Sequence, residues 1–223
     1  MTTHEAGRIS AALAIIVPVL NEAPTLAARL AELQRFRARG VQVVVVDGGS
    51  ADDTLAVARL HADLTLLAPR GRAAQMNAGA AACAAAAGAV QVLLFLHADT
   101  RLPEQADLLV LSACSRARAW GRFDVRIDSP QPLLRLVGWM MNRRSRWTGI
   151  ATGDQAMFMR RDLFEQIGGF PEQALMEDIE MSARLKRLAA PVCLREQVLT
   201  SARRWEQHGA WRTILLMWRL RAA

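Results

Sequence analysis

The stretch LAIIVPVLNEAPTLAARLAELQRFRARGVQVVVVDGGSADDT, residues 13–54, decides the fold of this chain. One apolar run, Ala14–Val19, stops before Asn21 and Glu22, and a second, Val41–Val46, stops at Asp47. A segment with helical spacing separates the two runs. Two short β-branched runs that bracket a helix predict a β-α-β unit with a parallel sheet. Open α/β sheets bind ligands at the carboxyl ends of their strands, so we expect Asn21, Glu22 and Asp47 in one crevice.

The alternation of strands and helices continues beyond this unit. Strands are predicted at 13–19, 41–47, 63–67 and 91–97, with helices at 24–38, 51–60, 71–87 and 103–118. This order predicts a doubly wound α/β half. In Phe123–Asp128 apolar and charged residues alternate, which predicts a one-sided strand that is antiparallel or at a sheet edge. Helices are predicted at 132–147, 161–167, 176–188 and 210–220, and strands at 155–160 and 192–200.

The composition favours one soluble domain with an anionic partner. The chain has 223 residues, 52% of them hydrophobic, which is ample for a single core. Its net charge of +7 favours nucleic acid, an anionic membrane or a phosphorylated substrate, and a solvated basic surface is the alternative. Three cysteines without CxxC spacing indicate reduced thiols in a cytosolic protein. Neither a signal peptide nor a transmembrane helix is predicted.

Asp47 is the first candidate for a ligand contact. A carboxylate at the end of a strand of valines can accept from the imide N–H of uracil or the amino group of another base. The alternative is a cap for the helix at 51–60, but Ser50 and Asp52 are better placed for that. Gly48 and Gly49 predict a tight turn that lets the backbone approach a ligand.

Three further positions carry chemistry. Arg72 follows Gly71 at a predicted helix start, which suits a phosphate, although an ordinary exposed arginine is the alternative. Strand 91–97 ends in His97-Ala98-Asp99, and an acid there suggests Mg²⁺ or Mn²⁺, with a turn carboxylate as the alternative. The acids of Met176–Glu180 match a helix dipole, or one of them serves as a general base toward an acceptor hydroxyl.

Taken together, these segments resemble the family 2 glycosyltransferases from about Leu13 to Gly209. The resemblance is carried by VPVLNE (Val17–Glu22), VDGGSADDT (Val46–Thr54), GRAAQMNAG (Gly71–Gly79), LHADT (Leu96–Thr100), TGDQAMFMRR (Thr152–Arg161), GGF (Gly168–Phe170) and MEDIE (Met176–Glu180). It implies a GT-A fold, a Rossmann-like mixed sheet flanked by helices, as a single domain over residues 1–223. About 11–118 would bind the nucleotide-sugar and about 119–223 the acceptor. The motif spacing also resembles a bacterial subgroup, the arsenosugar-biosynthesis-type glycosyltransferases.

The resemblance implies a UDP- or GDP-sugar donor and an inverting, metal-assisted, hexosyltransferase-like reaction. Asp178 would be the catalytic base and Asp99, the last position of an Asp-x-Asp signature, would hold Mg²⁺ or Mn²⁺. The remaining implied positions contact the two substrates: Pro18, Asn21, Glu22, Asp47, Gly48, Arg72, Asn77, His97 and Ala98 on the donor side, and Gly153, Asp154, Glu177, Arg204 and Trp205 on the acceptor side.

Two departures from the family pattern modify this expectation. His97 replaces the first Asp of Asp-x-Asp, so the metal would have one protein carboxylate, with His97 as a second ligand or a hydrogen-bond partner. The Gln-x-x-Arg-Trp signature of processive members is incomplete, because Ser201 stands where Gln is expected before Arg204 and Trp205. A single transfer is therefore expected.

Two segments combine Trp, Met and Leu with Arg, 132–147 and 210–221. This composition suits the surface of an anionic membrane and a lipid-linked acceptor, which would place a cytoplasmic protein at the inner face of the membrane. The alternatives are a homodimer interface or core helices with basic outer faces.

Two other functions remain open. A sugar nucleotidyltransferase would carry a Gly-rich basic loop after the first strand, where this chain has Leu20–Pro24. A non-catalytic nucleotide- or RNA-binding module on a degenerate GT-A fold would fit the charge and His97. Dispersed basic residues and the lack of tyrosine argue against nucleic acid.

Overall fold

A mixed sheet of eight strands organises the computed structural model, which describes residues 12–85, 90–114, 118–173 and 175–203. The strands in chain order are β1 (Leu13–Val19), β2 (Gln42–Asp47), β3 (Leu64–Leu67), β4 (Val92–Phe95), β5 (Thr100–Arg101), β6 (Trp120–Asp128), β7 (Phe158–Arg160) and β8 (Val192–Ser201). The helices are α1 (Ala23–Arg37), α2 (Thr54–His61), α3 (Arg72–Ala85), α4 (Ala106–Ala113), α5 (Pro132–Thr148), α6 (Arg161–Gln166) and α7 (Glu177–Leu188), with a 3₁₀ turn at Gly153–Gln155.

The first half of the sheet is parallel, as the sequence predicted. Strand β1 pairs with β2 on one side and β4 on the other, and β3 pairs with β2. Both β1 and the valines of β2 are buried, because helices cover both faces of a parallel sheet. The chain passes from β1 to β2 and β3 on one side of β1 and then crosses over to β4 on the other side. The carboxyl end of β1 is therefore the topological switch point at which such sheets bind ligands.

The second half of the sheet is mixed. Strand β7 runs antiparallel to β4 and β6, whereas β6 and β8 are parallel, in the order β3-β2-β1-β4-β7-β6-β8-β5. Antiparallel pairing with β7 is limited to Trp120 and Gly121, whereas Phe123–Asp128 pairs in parallel with β8. The expectation that this segment is antiparallel is therefore wrong. The alternative edge position agrees with the pairing, because among the described residues no strand pairs with the other side of Phe123–Asp128, where the Asn142 side chain bonds Val125 instead.

The one-sided pattern is confirmed, because buried and more exposed residues alternate from Phe123 to Asp128. Asp124 pairs with Arg122 and with Arg146 of α5.

Some predicted element boundaries are also corrected. The predicted strand 91–97 ends earlier, at Phe95, and the predicted helix 103–118 is limited to α4. The predicted helix 51–60 begins only at Thr54, because Asp52 accepts a hydrogen bond from the Thr54 backbone N–H and so holds the preceding residues in a turn. The predicted helix 210–220 lies outside the described residues.

Two apolar layers hold helices on the two faces of the sheet. On one face, Ile15 and Val17 pack with Leu30 and Phe36 of α1. On the other, Ile16 packs with residues of α3, α6 and α7, such as Met76, Phe164 and Leu185. Alternate residues of a strand point to opposite faces, so a single strand supplies both layers. None of the helices in the described part of the chain is long and apolar enough to cross a membrane.

The alanine-rich helix α3 approaches the sheet most closely at Gly79. A Cβ atom at this position would lie 2.6 Å from Ile16 Cγ2 and 3.0 Å from Val46 Cγ2. We expect Gly79→Ala to lower the free energy of unfolding by about 1–2 kcal/mol, because overpacking outweighs the gain in helix propensity. Gly138→Ala in α5 is the matched control, since its Cβ would be no closer than 3.4 Å to Val125 O. Equal urea midpoints for the two variants would contradict this.

Candidate active site

The loops after β1 and β2 are tied together by hydrogen bonds. Asn21 has a left-handed backbone, φ 53°, which asparagine tolerates better than most residues. Its N–H donates to Ser50 Oγ at 2.8 Å, and the Ala51 N–H donates to Asn21 Oδ1 at 2.9 Å. The Glu22 N–H donates to Thr54 Oγ1 at 2.8 Å. The structure therefore brings the polar ends of both strands together. The backbone N–H and the side-chain amide oxygen of Asn21 both link the two loops.

Asp47 holds an unpartnered oxygen at this edge of the sheet. The residue is 1% exposed, and its Oδ1 accepts from the Ser50 N–H at 3.0 Å and the Ser50 hydroxyl at 2.5 Å. Oδ2 is buried without a hydrogen-bond partner among the described residues. A buried polar atom left unpaired costs about 1–3 kcal/mol. Asp47 does not cap α2, whose N-cap is Asp53, so the unpartnered oxygen points to a ligand.

Gln75 supports this edge and was missed by sequence reasoning. It is buried in α3, and its Nε2 donates to Val19 O and Val46 O, each at 2.8 Å. Both carbonyls lie at the ends of their strands. A Cβ at Gly48 would stand 3.1 Å from the Gln75 amide, so the glycine permits this approach. The signal in the sequence was a glutamine among alanines and Met76 in the first half of an alanine-rich helix.

Asn77, two residues further along α3, has a different set of contacts. Its Nδ2 donates to Phe170 O and its Oδ1 accepts from the Phe170 N–H, both at 2.9 Å. The amide thus fixes the turn at Gly168 and Gly169, which have φ values of 77° and 74°. At the N-terminus of the same helix, Arg72 is exposed. The structure places Asn77 as a clamp between α3 and this turn.

The sheet opens between β1 and β4 just beyond their paired residues. Pairing ends at Ile16 and Phe95, and the Leu96 N–H still donates to Ile16 O at 2.9 Å. The next position in β1 that would donate toward β4 is Pro18, which is buried and has no N–H. The chain that follows β4 therefore turns away from β1. Its next residues, His97, Ala98 and Asp99, are half-buried.

His97 faces the acceptor-side loop. Its Nδ1 lies 3.3 Å from Asp154 Oδ1, and a Cβ at Gly153 would be only 2.4 Å from the ring atoms Cε1 and Nε2. Nδ1 thus faces a carboxylate, and Gly153 packs closely against the opposite edge of the ring. The arrangement fits the hydrogen-bond alternative for His97.

Asp99 supplies a single carboxylate. Its Oδ1 accepts a hydrogen bond from Thr100 Oγ1 at 3.3 Å. Within residues 12–85, 90–114, 118–173 and 175–203, no three His, Cys, Asp or Glu side chains converge on a common metal position. Mg²⁺ is often held by one or two carboxylates together with water and substrate phosphates. One carboxylate therefore fits an ion that arrives with a diphosphate, not an all-protein metal site.

Asp178 lies at the start of α7, above the end of the sheet. The helix follows Met176, whose left-handed φ of 65° turns the chain into it. Asp178 Oδ2 accepts the Gly153 N–H at 2.6 Å, and Oδ1 accepts the Ile179 N–H at 2.8 Å. A carboxylate has about four acceptor sites, so these two bonds position the group and leave capacity for a proton.

A small pocket lies beside this carboxylate. It brings Asp178 together with the buried Glu177, with His97 and with Gly153. Its apolar wall consists of Met76, Phe95, Met157 and Phe170. Residues from both halves of the sheet therefore meet around one candidate base.

A comparison with protein families now identifies the chain. The model described as glycosyl transferase family 2 matches residues 14–168, more than half of the sequence. The chain belongs to glycosyl transferase family 2. The match spans the Asp47, Asp99 and Gly153 segments of the site. No curated protein matches this family 2 chain in a sequence search.

Solved structures confirm the predicted GT-A fold. The mannosyltransferase PcManGT from Pyrobaculum calidifontis, in complex with GDP-Man and Mn²⁺, is similar with a TM-score of 0.61 and 22% identity, over 84% of this chain and 56% of its own. S. aureus TarS 1-349, in complex with UDP, gives 0.62 and 17% over 85% and 60%. Mannosyl-3-phosphoglycerate synthase from Rubrobacter xylanophilus gives 0.58 and 19% over 94% and 80%. This family 2 chain thus spans less than two thirds of the first two chains.

An ion pair between Arg203 and Glu22 at the opening of the site was also not predicted from the sequence. Arg203, just after β8, donates from its two terminal nitrogens to Glu22 Oε1 at 2.8 Å and to Glu22 Oε2 at 3.3 Å. The hydrogen bonds and charge of Glu22, with the charge of Asp99, raise the pKa of the Arg203 guanidinium. The run Ser201–Trp205 contained the signal, but it indicated Arg204 and Trp205, which lie outside the described residues of this family 2 chain.

Proposed function

We propose that this chain transfers a sugar from a nucleotide-diphospho-sugar donor to an acceptor hydroxyl, as a single, non-processive transfer with inversion at the anomeric carbon. The observation that carries the proposal is the buried, unpartnered Oδ2 of Asp47 at the switch point of a family 2 glycosyltransferase fold. Proteins of similar fold are described in complex with UDP, UDP-GlcNAc and GDP-Man. These descriptions support a UDP- or GDP-sugar donor.

The donor would lie along the carboxyl edge of the parallel strands, in about residues 11–118. Asp47 accepts a hydrogen bond from a ring N–H of the base. The exposed Arg72 and the free N–H groups at the start of α3 then suit the diphosphate, because a helix N-terminus attracts anions. Arg203 adds a positive charge near Asp99 at the mouth of the site.

The acceptor would enter from the side of about residues 119–223. Asp178 takes the proton from its hydroxyl as the acceptor oxygen bonds to the anomeric carbon. The bond from that carbon to the diphosphate breaks in the same displacement, and the nucleoside diphosphate leaves with the electron pair. Attack on the face opposite the leaving group inverts the anomeric configuration. Glu177, Gly153 and the His97–Asp154 pair border this side.

Asp99 would hold Mg²⁺ or Mn²⁺ together with the phosphates of the donor. When bound, the ion would neutralise negative charge on the departing diphosphate. The complex of PcManGT with Mn²⁺ supports this part of the proposal. We further propose the arsenosugar-biosynthesis-type subgroup on the basis of motif spacing alone.

Thermal shifts with nucleotides test the donor and the metal together. We expect one nucleoside diphosphate to raise the melting temperature by about 5–10 °C at 100 times its Kd, because ligand binding stabilises the folded state by mass action. Mn²⁺ should enlarge the shift in the wild type and not in Asp99→Asn. Asp128→Asn, an exposed carboxylate of β6, is the matched control. A flat response to every nucleotide in folded protein would contradict a nucleotide-sugar donor, and an unchanged Mn²⁺ effect in Asp99→Asn would refute Asp99 as the metal ligand.

A further inference from the structure

The outer face of α5 exposes large apolar side chains that the core does not use. Leu136, Trp139, Met140 and Trp147 are 50%, 57%, 45% and 78% exposed, and they follow one another along one side of the helix. We call these four residues the α5 stripe. The opposite side of α5, including Leu134 and Val137, is buried against β6. The helix is therefore anchored by one face while it presents the stripe to solvent.

Positive charge accompanies the stripe. The guanidinium of Arg143 lies over the rings of Trp139 and Trp147, 5.3 Å and 5.0 Å from their centroids, which orders both indoles. The sequence of α5 holds four arginines and no aspartate or glutamate. Lys186 Nζ donates to Thr148 O at the end of the helix, which adds another basic group there.

A basic pocket of about 530 Å³ lies at the other end of the stripe. The guanidinium side chains of Arg126 and Arg135 line it, together with Ser129 and one acid, Asp128. Arg135 directly precedes Leu136 of the stripe. A phosphate group bound between the two arginines would thus sit beside the apolar side chains, as a lipid headgroup sits beside its acyl chains.

We propose that the α5 stripe and its arginines form a docking surface for an anionic lipid bilayer. The combination of indoles with basic groups suits a membrane interface, where the rings enter the headgroup region and the guanidinium groups meet lipid phosphates. A symmetric contact with a second copy would place the same patch against itself, so that arginines would face arginines. Charge complementarity therefore favours the bilayer.

Docking through α5 would bring the acceptor side of the site to the membrane. Trp147 precedes Gly153 by six residues, and the Gly153 N–H donates to the candidate base Asp178. An acceptor attached to a lipid would then approach the site from the side of α5. The docking surface does not depend on the proposed transfer reaction, so each can fail alone.

Flotation of the full chain with lipid vesicles tests the proposal. We expect binding to vesicles of mixed phosphatidylcholine and phosphatidylglycerol, weakening with salt, and little binding to phosphatidylcholine alone. Trp139→Ser/Trp147→Ser and Arg143→Glu should each weaken binding by about tenfold or more, through lost insertion and lost charge respectively. Arg59→Glu/Leu60→Ser on the exposed face of α2 is the matched control and should bind as the wild type does.

Several outcomes would overturn the docking surface. If the wild-type protein did not bind anionic vesicles, the proposal would be wrong. It would also be wrong if the stripe variants bound as strongly as the control variant. A wild-type dimer that becomes monomeric in Trp139→Ser/Trp147→Ser, without vesicle binding, would assign the stripe to a second copy. Circular dichroism and release of nucleoside diphosphate from a soluble donor should be unchanged in the variants, which separates lost docking from lost folding or lost catalysis.

Discussion

Asp178→Asn is expected to remove sugar transfer while donor binding remains intact. The amide has nearly the shape of the carboxylate, and its carbonyl can still accept one of the two backbone N–H groups that now position Asp178. It cannot take a proton from an acceptor hydroxyl. Because general base catalysis contributes about 10²- to 10⁴-fold, kcat should fall by that range while the nucleotide-induced thermal shift stays as in the wild type.

Two other acids in the first turn of α7, Glu177 and Glu180, provide comparison variants for this experiment. Glu180→Gln alters an acid that faces outward to Arg184, and it should leave kcat unchanged. Glu177→Gln alters the buried acid that shares the pocket with Asp178. If Glu177→Gln abolished transfer and Asp178→Asn did not, the base would be Glu177 and the assignment made here would be wrong.

Local patterns predicted the elements that build the site. Uninterrupted valines predicted the buried strand β2, and the polar residues after Val19 and Val46 predicted where the parallel strands end. These features depend on neighbours within a few residues. The paired strands and the shared polar edge followed from general rules of parallel sheets. For this reason the β-α-β unit could be predicted from local patterns, whereas the GT-A fold was implied by the family resemblance.

Contacts between distant segments could not be predicted in this way. The family resemblance implied a donor contact for Asn77, yet its amide is committed to Phe170, 93 residues later. Arg203 meets Glu22 across 181 residues, and no local pattern marks that pair. Likewise, the alternation in β6 did not show that Asp124 pairs with Arg146 of another element. The sequence indicated the chemistry of single residues. Their contact partners depend on how distant strands and helices pack together, which no local pattern encodes.

Asp47→Asn is expected to weaken nucleotide binding by about 10²-fold without lowering the stability of the free protein. Ser50 can keep its two hydrogen bonds to the amide carbonyl, which leaves the NH₂ group where Oδ2 now lies. That group would then face a ring N–H of the base, donor against donor, and a site built for a hydrogen bond discriminates strongly when it is lost. The empty site should not suffer, because the substitution replaces a buried carboxylate oxygen that has no partner among the described residues.

Asp52→Asn gives the opposite expectation and so serves as the control. Both Asp52 oxygens are engaged, with Thr54 and with the Ala23 N–H, and the hydrogen bonds from Thr54 lower the pKa of this carboxyl. This variant should lose stability and keep its base affinity. For Asp47 the decisive measurement adds a nucleotide whose ring N–H is methylated. The methyl group should weaken binding to the wild type and make little difference in Asp47→Asn, since the hydrogen bond is already absent. An equal penalty in both proteins would show that Asp47 only shapes the turn and does not read the base.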